Sequence, residues 1–424
     1  MVASASQPSS QPVRRVVVTG IGMMTPVGLG REQSWSALLA GENGIGPVTL
    51  CDASDLQSKI AGEVDGFDPL DWIEKKDARR MDRFVQLSIA ATQEALDHSK
   101  LEVASAPDEI GTMIGSGMGG LSWLEEQFHV LFEKGPGRVS PFLVPAFISD
   151  MAAGQVSIRF GARGPNFNTV SACASGADAI GTALETIRRG DARAMIAGGS
   201  EACVTRMGIA AFHASRALST KRNHDPEHAS RPFDLERDGF VLAEGAGTLI
   251  LEDLEFARAR GAPILAEAVS YGQSADAFHV TQPSANGEGA SRAIGIALRK
   301  AGIAASDVDY INAHGTSTQL NDKFETMSIK SVFGESALGI PISSSKSMLG
   351  HTLGAAGAIE SAATVLSLRD QRIHMTRNIE VHDPDCDLDY VTEGARDVDL
   401  EYAMSNSLGF GGHNSTLLFR RYHD

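Results

Sequence analysis

The amino-acid sequence predicts a large α/β fold in which helices cover the strands of a sheet. Apolar runs of four to seven residues alternate with segments whose apolar residues recur at helical spacing. The composition is that of a globular protein, since 42% of the 424 residues are apolar and 21% are charged. A loose internal repeat supports a duplicated architecture, because a strand, a small-residue turn, a reactive residue and a helix rich in Ala and Gly occur around Cys173 and again around His351.

The alternation of patterns assigns the main helices and strands. Residues 83–98 and 175–189 carry their apolar residues on one face, so both are predicted to be helices that pack against the sheet. The apolar runs around them are predicted to be strands. The predicted strands are residues 15–20, 110–116, 168–172, 194–199, 308–313 and 342–346.

The chain is predicted to form two similar halves preceded by a tail. Residues 1–14 are rich in Ser, Gln and Pro, and they are predicted to be flexible because they bury too little apolar surface to offset the entropy of ordering. The N-terminal half comprises residues 15–258 and the C-terminal half residues 259–424. The division falls just before Gly261 and Pro263, which end a charged helical segment.

Charge and cysteine content exclude several classes of protein. A net charge of -16 argues against general nucleic-acid binding, which requires a broad basic face. The four cysteines lack metal-ligand spacing, so neither a disulfide framework nor a zinc site is predicted. No run approaches the ~18 apolar residues of a membrane-spanning helix, and the N-terminus lacks the apolar centre of a secretory signal. We therefore expect a cytoplasmic protein without a membrane span.

The strongest chemical signal combines one cysteine with two histidines and a lysine. Cys173 lies between a predicted strand and a predicted helix, where free backbone N–H groups and the helix dipole favour the reactive thiolate. His314 follows one later predicted strand, Lys346 ends another, and His351 comes five residues after Lys346. Strand ends are where α/β folds place their functional sites. The set therefore indicates nucleophilic catalysis by a thiol.

Several longer motifs occur in one order around these residues. They are Ile-Gly-Ser-Gly-Met-Gly-Gly at 114–120, Ser-Pro-Phe at 140–142, Ser-Arg-Pro-Phe-Asp at 230–234, Arg-Asp-Gly-Phe at 237–240 and Ser-Asn-Ser-Leu-Gly-Phe-Gly-Gly-His-Asn at 405–414. In these motifs the sequence resembles the elongating, Cys-His-His type of β-ketoacyl-acyl-carrier-protein synthase, of the synthase II kind. The resemblance runs from about residue 15 to residue 422. It implies a thiolase-like α/β fold, in which a duplicated unit forms five layers, α/β/α/β/α.

The resemblance implies a role for each residue of the reactive set. Cys173 matches the nucleophile that accepts the acyl chain. His314 and His351 match the pair whose N–H groups hold the enolate formed when a malonyl thioester loses carbon dioxide. Lys346 and Glu325 match a buried ion pair that orients the catalytic groups.

The resemblance also assigns residues to substrate and partner binding. Phe410 matches a gate to the acyl pocket, and its backbone N–H group and that of Cys173 match the oxyanion hole. Thr316 and Thr318 match hydroxyls that bind a phosphopantetheine arm. The substrate-binding residues are Met118, Phe142, Phe212, Thr281, Thr316, Thr318 and Leu408, and the residues that dock the carrier protein are Lys75, Lys76, Arg79 and Arg80.

The implied activity is the elongation of acyl chains in fatty acid biosynthesis. The enzyme would be an acyltransferase that condenses an acyl-enzyme with a malonyl thioester, both delivered by acyl carrier protein, with release of carbon dioxide. The resemblance implies no cofactor and no metal ion. It also implies a homodimer in which Phe142 approaches the acyl pocket of the partner subunit.

Two alternatives stay open at this stage. Leu408, Gln319 and His413 depart from the commonest family pattern near the gate, so the protein could be a ketosynthase of a type II polyketide pathway or another specialised acyl pathway. A non-catalytic subunit that only docks carrier protein is an alternative of a different class, and the intact cysteine and histidines argue against it. A degradative thiolase requires a second catalytic cysteine, and the acidic surroundings of Cys386 do not fit that role.

Overall fold

The computed structural model describes residues 14–423. The flexible tail predicted for residues 1–14 lies, apart from Arg14, outside the described residues. The strands are β1 (Val16–Thr25), β2 (Gly28–Leu29), β3 (Ile45–Pro47), β4 (Ile60–Gly62), β5 (Ile110–Gly115), β6 (Asn166–Phe167), β7 (Ala194–Glu201), β8 (Gly245–Asp253), β9 (Ala266–Ala275), β10 (Tyr310–Asn312), β11 (Ile342–Ser343), β12 (Arg372–Ile373), β13 (Arg396–Asp397), β14 (Tyr402–Gly409) and β15 (His413–Arg420).

The helices lie between these strands, and short 3-10 turns precede several of them. The two turns that matter most for the site are Ala172–Ala174 and Leu353–Ala355. The α-helices are α1 (Arg31–Ala40), α2 (Lys75–Ala78), α3 (Arg83–Ser99), α4 (Leu121–Lys134), α5 (Leu143–Phe147), α6 (Met151–Phe160), α7 (Ser175–Arg189), α8 (Arg206–Ala214), α9 (Leu254–Ala259), α10 (Glu288–Ala301), α11 (Gln319–Phe333), α12 (Lys346–Leu349) and α13 (Ala356–Asp370).

The main sheet repeats one pairing pattern in its two halves. Its strand order is β11-β10-β14-β15-β9-β1-β8-β7-β5-β6, with β2 paired to β1. In the first half β5 is parallel to β6 and β7, β7 is antiparallel to β8, and β8 is antiparallel to β1. In the second half β10 is parallel to β11 and β14, β14 is antiparallel to β15, and β15 is antiparallel to β9. The two halves are joined where β1 pairs with β9, and the predicted division at residue 258 stays a prediction.

Helices cover both faces of each half-sheet. Helices α7 and α13 pack on strands of both halves and form the central layer, which explains why every residue from Ala356 to Leu368 is buried. One outer layer contains α3 and α6 on the N-terminal half-sheet, and the other contains α10 on the C-terminal one with α11 packed on α10. The predicted order of five layers is confirmed.

Close packing between layers requires glycine at particular positions. A Cβ atom on Gly20 or Gly22 of β1 would overlap the backbone carbonyl of Ala95 or Ala91 in α3. The helix can therefore approach the strand only where the side chain is a hydrogen atom. Among the helices within residues 14–423, none combines the length and apolar character needed to cross a membrane.

Most predicted elements are confirmed, and two need correction. The predicted helix 175–189 matches α7, and the predicted helix 83–98 ends one residue before α3 does. Residues 168–172 do not form the predicted strand, because Ser171 binds its own turn: its N–H donates to Ser175 Oγ at 3.0 Å and its hydroxyl to Asp178. The predicted strand 342–346 ends early, at Ser343, and Lys346 begins α12.

Candidate active site

A cavity of about 410 Å³ brings together three of the four residues of the predicted reactive set. Cys173, His314 and His351 all line it, although they lie far apart in the sequence. Cys173 is contributed by the turn before α7, His314 follows β10, and His351 follows α12. The cavity lies where the central helices begin, at the boundary between the halves. Its walls also include the loop that follows β14.

Cys173 sits in a tight turn that is held by hydrogen bonds. Ala172 adopts a φ of 53°, a left-handed conformation that is uncommon for a residue with a side chain. Ser175 Oγ donates to the Ala172 carbonyl at 2.7 Å and stabilises this turn. A Cβ atom on Gly409 would lie 2.6 Å from the Ser171 carbonyl oxygen, so glycine is required where β14 ends against the turn. The backbone therefore fixes the position of the sulfur.

Burial dominates the ionisation of the thiol. It raises the pKa of Cys173 to about 11, although the Lys346 charge and the backbone N–H groups of Phe410 and Cys173 act in the opposite direction. The backbone N–H groups at the helix start therefore favour the thiolate as expected, but burial has the larger effect. The thiol is protonated at neutral pH, because loss of water from around the sulfur outweighs the nearby donors.

The hydrogen bonds of the two histidines fix which ring nitrogen carries the proton. Lys346 Nζ lies 3.3 Å from His314 Nδ1, and the backbone N–H of Leu353 donates to His351 Nδ1 at 3.3 Å. Both Nδ1 atoms are therefore acceptors, which leaves an N–H donor at each Nε2. Burial and the Lys346 charge lower the pKa of both imidazoles well below the ordinary value, so both rings are neutral. Their centroids are 5.3 Å apart.

The buried ion pair of Lys346 differs from the prediction. Its ammonium pairs with Glu360 of α13, and it also donates to the His314 carbonyl at 2.7 Å. Glu325 instead accepts hydrogen bonds from the backbone N–H groups of His314 at 2.7 Å and Gly315 at 2.8 Å. Burial raises the pKa of each carboxyl to about 7, against the lowering effect of the lysine. The predicted pairing with Glu325 is wrong, because Glu325 is used to hold the loop that carries His314.

Sequence reasoning missed Glu360 although a signal was present. It is an acidic residue in a helix whose other residues through Leu368 are apolar, small or hydroxylated. A lone charge in such a helix needs a buried partner of opposite charge. Other cavity residues that sequence reasoning did not select are Arg216, Asp238, Phe240, Asp276 and Asn414.

Leu408 of β14 and Phe410 of the glycine-rich loop after β14 both line the cavity, and this loop is tied to a second loop. Gly411 and Gly412 have φ values of 86° and 75°, which favour glycine. The Gly411 N–H donates to the Val280 carbonyl at 2.8 Å, and the Asp276 N–H donates to the Gly412 carbonyl at 2.8 Å. The position of Phe410 is thus coupled to the loop that contains Thr281.

Five of the seven predicted substrate-binding residues line the same cavity. They are Phe212, Thr281, Thr316, Thr318 and Leu408. Thr316 Oγ1 and Thr318 Oγ1 are 3.0 Å apart, and the Phe212 ring packs edge-on against Phe240. Met118 and Phe142 do not line this cavity, and their exposed fractions are 40% and 37%. The prediction for Phe142 involves a partner subunit and is not tested by one chain. Met118 is predicted to line the acyl pocket of its own chain, and that role stays a prediction.

The four predicted docking residues are exposed and lie together. Lys75 and Lys76 are in α2, and Arg79 and Arg80 follow it directly. The Arg80 guanidinium stacks over the Phe142 ring at 4.6 Å. Within residues 14–423 no group of three or more His, Cys, Asp or Glu side chains is placed to hold a metal ion.

Comparison with known proteins places this site in a family. Residues 13–257 match the N-terminal domain of β-ketoacyl synthases, and residues 265–380 match the C-terminal domain of the same enzymes. The chain belongs to the β-ketoacyl synthase family. Two curated relatives carry the name 3-oxoacyl-acyl-carrier-protein synthase 2. The enzyme of Synechocystis sp. is 50% identical over 96% of this chain and 98% of its own, and that of Staphylococcus aureus is 51% identical over 96% and 99%.

Solved ketosynthases share the fold of this β-ketoacyl synthase. A β-ketoacyl synthase from Burkholderia phymatum has a TM-score of 0.89 and 37% identity over 97% of this chain and all of its own. A type II polyketide ketosynthase, solved in complex with its acyl carrier protein, has a TM-score of 0.90 and 37% identity over the same shares. The predicted thiolase-like fold is confirmed. The chain is therefore an acyltransferase of the condensing type, as predicted from its motifs.

Proposed function

We propose that this β-ketoacyl synthase elongates acyl chains in fatty acid synthesis, as a 3-oxoacyl-acyl-carrier-protein synthase II. The observation that carries the proposal is the presence of Cys173, His314 and His351 in one cavity, with each imidazole presenting an N–H at Nε2. The curated relatives, which are 50% and 51% identical to this chain, carry names that support the same activity. Acyl carrier protein is then the donor of both substrates.

The first half-reaction transfers the acyl chain to the enzyme. Cys173 Sγ attacks the carbonyl carbon of the acyl thioester, the bond to the carrier sulfur breaks, and the carrier leaves as a thiol that takes up the cysteine proton. The backbone N–H groups of Cys173 and Phe410 stabilise the oxyanion of the tetrahedral intermediate. Because burial keeps the thiol protonated, loss of its proton accompanies attack rather than preceding it.

The second half-reaction forms the new carbon–carbon bond. Loss of carbon dioxide from the malonyl thioester leaves an enolate, and its negative oxygen accepts hydrogen bonds from Nε2–H of His314 and of His351. Neutral imidazoles suit this role because both donate without needing to be charged. The enolate carbon attacks the acyl carbonyl on Cys173, the bond to sulfur breaks, and the 3-oxoacyl product leaves on the carrier.

The carrier protein is proposed to dock on the basic segment at α2. Lys75, Lys76, Arg79 and Arg80 form an exposed cluster of positive charge in a chain of net charge -16. Screening limits electrostatic attraction to about 8–10 Å, so a local cluster can attract an acidic partner despite the overall charge. Thr316 and Thr318 then bind the phosphopantetheine arm within the cavity.

A homodimer is proposed from the exposed apolar surface around β6. This short strand lies at one end of the main sheet, and Ile158, Phe167 and Val170 near it are exposed by 74%, 43% and 57%. Exposed apolar side chains beside an unpaired strand edge favour association with a second copy. The cytoplasmic location also stays a prediction.

A polyketide or other specialised ketosynthase is the second candidate function. The polyketide ketosynthase matched at a TM-score of 0.90 has the same fold, and Leu408 and His413, which depart from the commonest family pattern, flank the loop that borders the cavity. The higher identity to the synthase 2 enzymes, 50% against 37%, favours the fatty acid pathway. The length and oxidation pattern of the products distinguish the two candidates.

The proposal is tested by incubating the protein with acyl- and malonyl-carrier protein. We expect release of carbon dioxide, a product two carbons longer, and a Cys173 peptide that carries the acyl mass. Cys173→Ala should reduce condensation by about 10⁴-fold or more, as for loss of other catalytic nucleophiles. Cys51→Ala is the matched control. Condensation by Cys173→Ala at the wild-type rate would refute the mechanism, and products with several unreduced keto groups would favour the polyketide candidate.

A further inference from the structure

Glu201 is a buried carboxylate that lies behind the cavity rather than in it. It is the last residue of β7 and has no exposed surface. Its two oxygens accept four hydrogen bonds, which suits a carboxylate because it has only acceptors. Oε1 accepts from Ser116 Oγ at 3.0 Å and the Met118 N–H at 3.1 Å, and Oε2 accepts from the N–H groups of Gly117 at 2.7 Å and Gly354 at 3.0 Å.

The bond to Gly354 connects Glu201 to the second histidine. Gly354 follows Leu353, whose φ is 48° and whose N–H donates to His351 Nδ1. This conformation is unfavourable for a branched side chain, so the turn requires outside support. The Gly354 N–H is held by Glu201, and a Cβ atom on Gly354 would overlap Gly117 N and lie 2.6 Å from Glu201 Oε2. Glu201 thus fixes the turn that orients the Leu353 N–H.

We propose that Glu201 is a positioning residue that keeps His351 in the tautomer with N–H at Nε2. This inference rests on the proposed function, in which that N–H holds the malonyl enolate. A neutral imidazole can carry its proton on either nitrogen, and the Leu353 N–H permits only the form whose Nδ1 is an acceptor. If the turn relaxes, this restriction is lost and the enolate loses a donor.

The charge of Glu201 has a second, separable effect on the site. The negative carboxylate raises the pKa of Cys173, whereas the Lys346 ammonium lowers it and the neutral rings of His314 and His351 carry no charge. A neutral replacement should therefore make Cys173 titrate at lower pH. Replacement by the shorter aspartate should leave the pKa of Cys173 unchanged, because the negative charge stays, but should remove the hydrogen bond to Gly354.

The experiment compares E201Q and E201D with the wild type and with E94Q. Glu94 is a matched control, because it also accepts from two backbone N–H groups, of Met23 and Arg31, and does not line the cavity. Three quantities are measured: decarboxylation of malonyl-carrier protein, alkylation of Cys173 by iodoacetamide against pH, and the ring ¹⁵N shifts of His351, which report its tautomer.

We expect both Glu201 variants to lower kcat for decarboxylation by about tenfold, equivalent to one hydrogen bond, with KM within a factor of two. The His351 shifts should move toward a mixture of tautomers in both variants, and the alkylation profile should move to lower pH in E201Q only. E94Q should resemble the wild type. Unchanged His351 shifts in a folded variant, or equal losses in decarboxylation and Cys173 acylation, would overturn the inference. Absence of decarboxylation in the wild type would refute the proposed function, and the ¹⁵N shifts would still test the role of Glu201.

Discussion

The two halves of the molecule contain the same backbone feature, and only one of them carries a reactive side chain. In each half a three-residue 3-10 turn leads into a fifteen-residue central helix, α7 or α13. The first residue of each turn has a positive φ, 53° at Ala172 and 48° at Leu353. The second residue is Cys173 in the N-terminal half and Gly354 in the C-terminal half.

The residue at the end of the facing strand differs between the halves. The turn of Cys173 meets Gly409 at the end of β14, and the turn of Gly354 meets Glu201 at the end of β7. Where the strand ends in glycine, there is room for a side chain on the turn and for a cavity in front of it. Where it ends in glutamate, the carboxylate binds the turn and excludes a side chain. The duplicated fold therefore contains two equivalent turns, and the residue at the end of the facing strand determines which turn can carry a reactive side chain.

Replacement of His351 should separate the two steps of the reaction. His351→Ala should slow decarboxylation of malonyl-carrier protein by about 10²–10³-fold, because one donor to the enolate oxygen is lost. Acylation of Cys173 should persist, since the nucleophile and its oxyanion hole belong to the other turn and the loop after β14. Rates of carbon dioxide release and acyl-enzyme mass measure the two steps. His98→Gln, outside the cavity, is the control, and a parallel loss of both steps would contradict this division.

The next prediction concerns the turn without a nucleophile. Gly354→Ala should lower the free energy of unfolding by about 1–3 kcal/mol, because the added methyl group would overlap Gly117 and Glu201. Gly295→Ala is a matched control in α10, where a Cβ atom meets only the flexible end of Arg299 at 3.5 Å. The control should be neutral or stabilising by up to about 1 kcal/mol. Denaturant unfolding measures both variants. If Gly354→Ala had the stability of the wild type, both turns would tolerate a side chain, and the proposed difference between them would be wrong.

The pH dependence of Cys173 tests the environment of the reactive turn. Because burial raises its pKa to about 11, only the small thiolate fraction reacts at neutral pH, and this fraction grows as pH rises. The rate of alkylation should increase about tenfold per pH unit from pH 7 until it levels off near the pKa. Peptide mass spectrometry at each pH measures the rate. A plateau already reached at pH 7 would show that the helix start outweighs burial.

The basic segment at α2 has no counterpart in the C-terminal half, and its replacement should have a modest effect. The N-terminal half carries the basic segment just before α3, whereas residues 276–287, before α10, contain no Lys or Arg. Arg79→Glu should raise KM for carrier-bound substrate by about 3- to 10-fold at low salt and less at high salt. A carrier-free acyl thioester should show no change. Lys100→Glu, an exposed charge reversal elsewhere, is the control, and an equal effect of both variants would refute docking at α2.

Local sequence signals predicted much of the fold and the reactive set. The bounds of α7 follow from its apolar face, and the positions of Cys173, His314 and His351 follow from polar motifs at element ends. These signals gave wrong predictions where a side chain hydrogen-bonds within its own turn or pairs with a residue of another element. Ser171 had the pattern of a strand and instead binds Ser175 and Asp178. Lys346 was assigned to Glu325 and instead pairs with Glu360, the lone acidic residue of an otherwise uncharged stretch of α13.

The layered α/β fold, the family and the reactive side chains could be predicted from the sequence, because periodicity and short motifs are formed by residues close in the chain. Three features become apparent only in the folded molecule: Lys346 pairs with Glu360, Glu201 binds the second turn, and burial keeps the thiol of Cys173 protonated. Each of these depends on which groups of two distant halves meet away from water, where desolvation and pairing together set charge and hydrogen bonding.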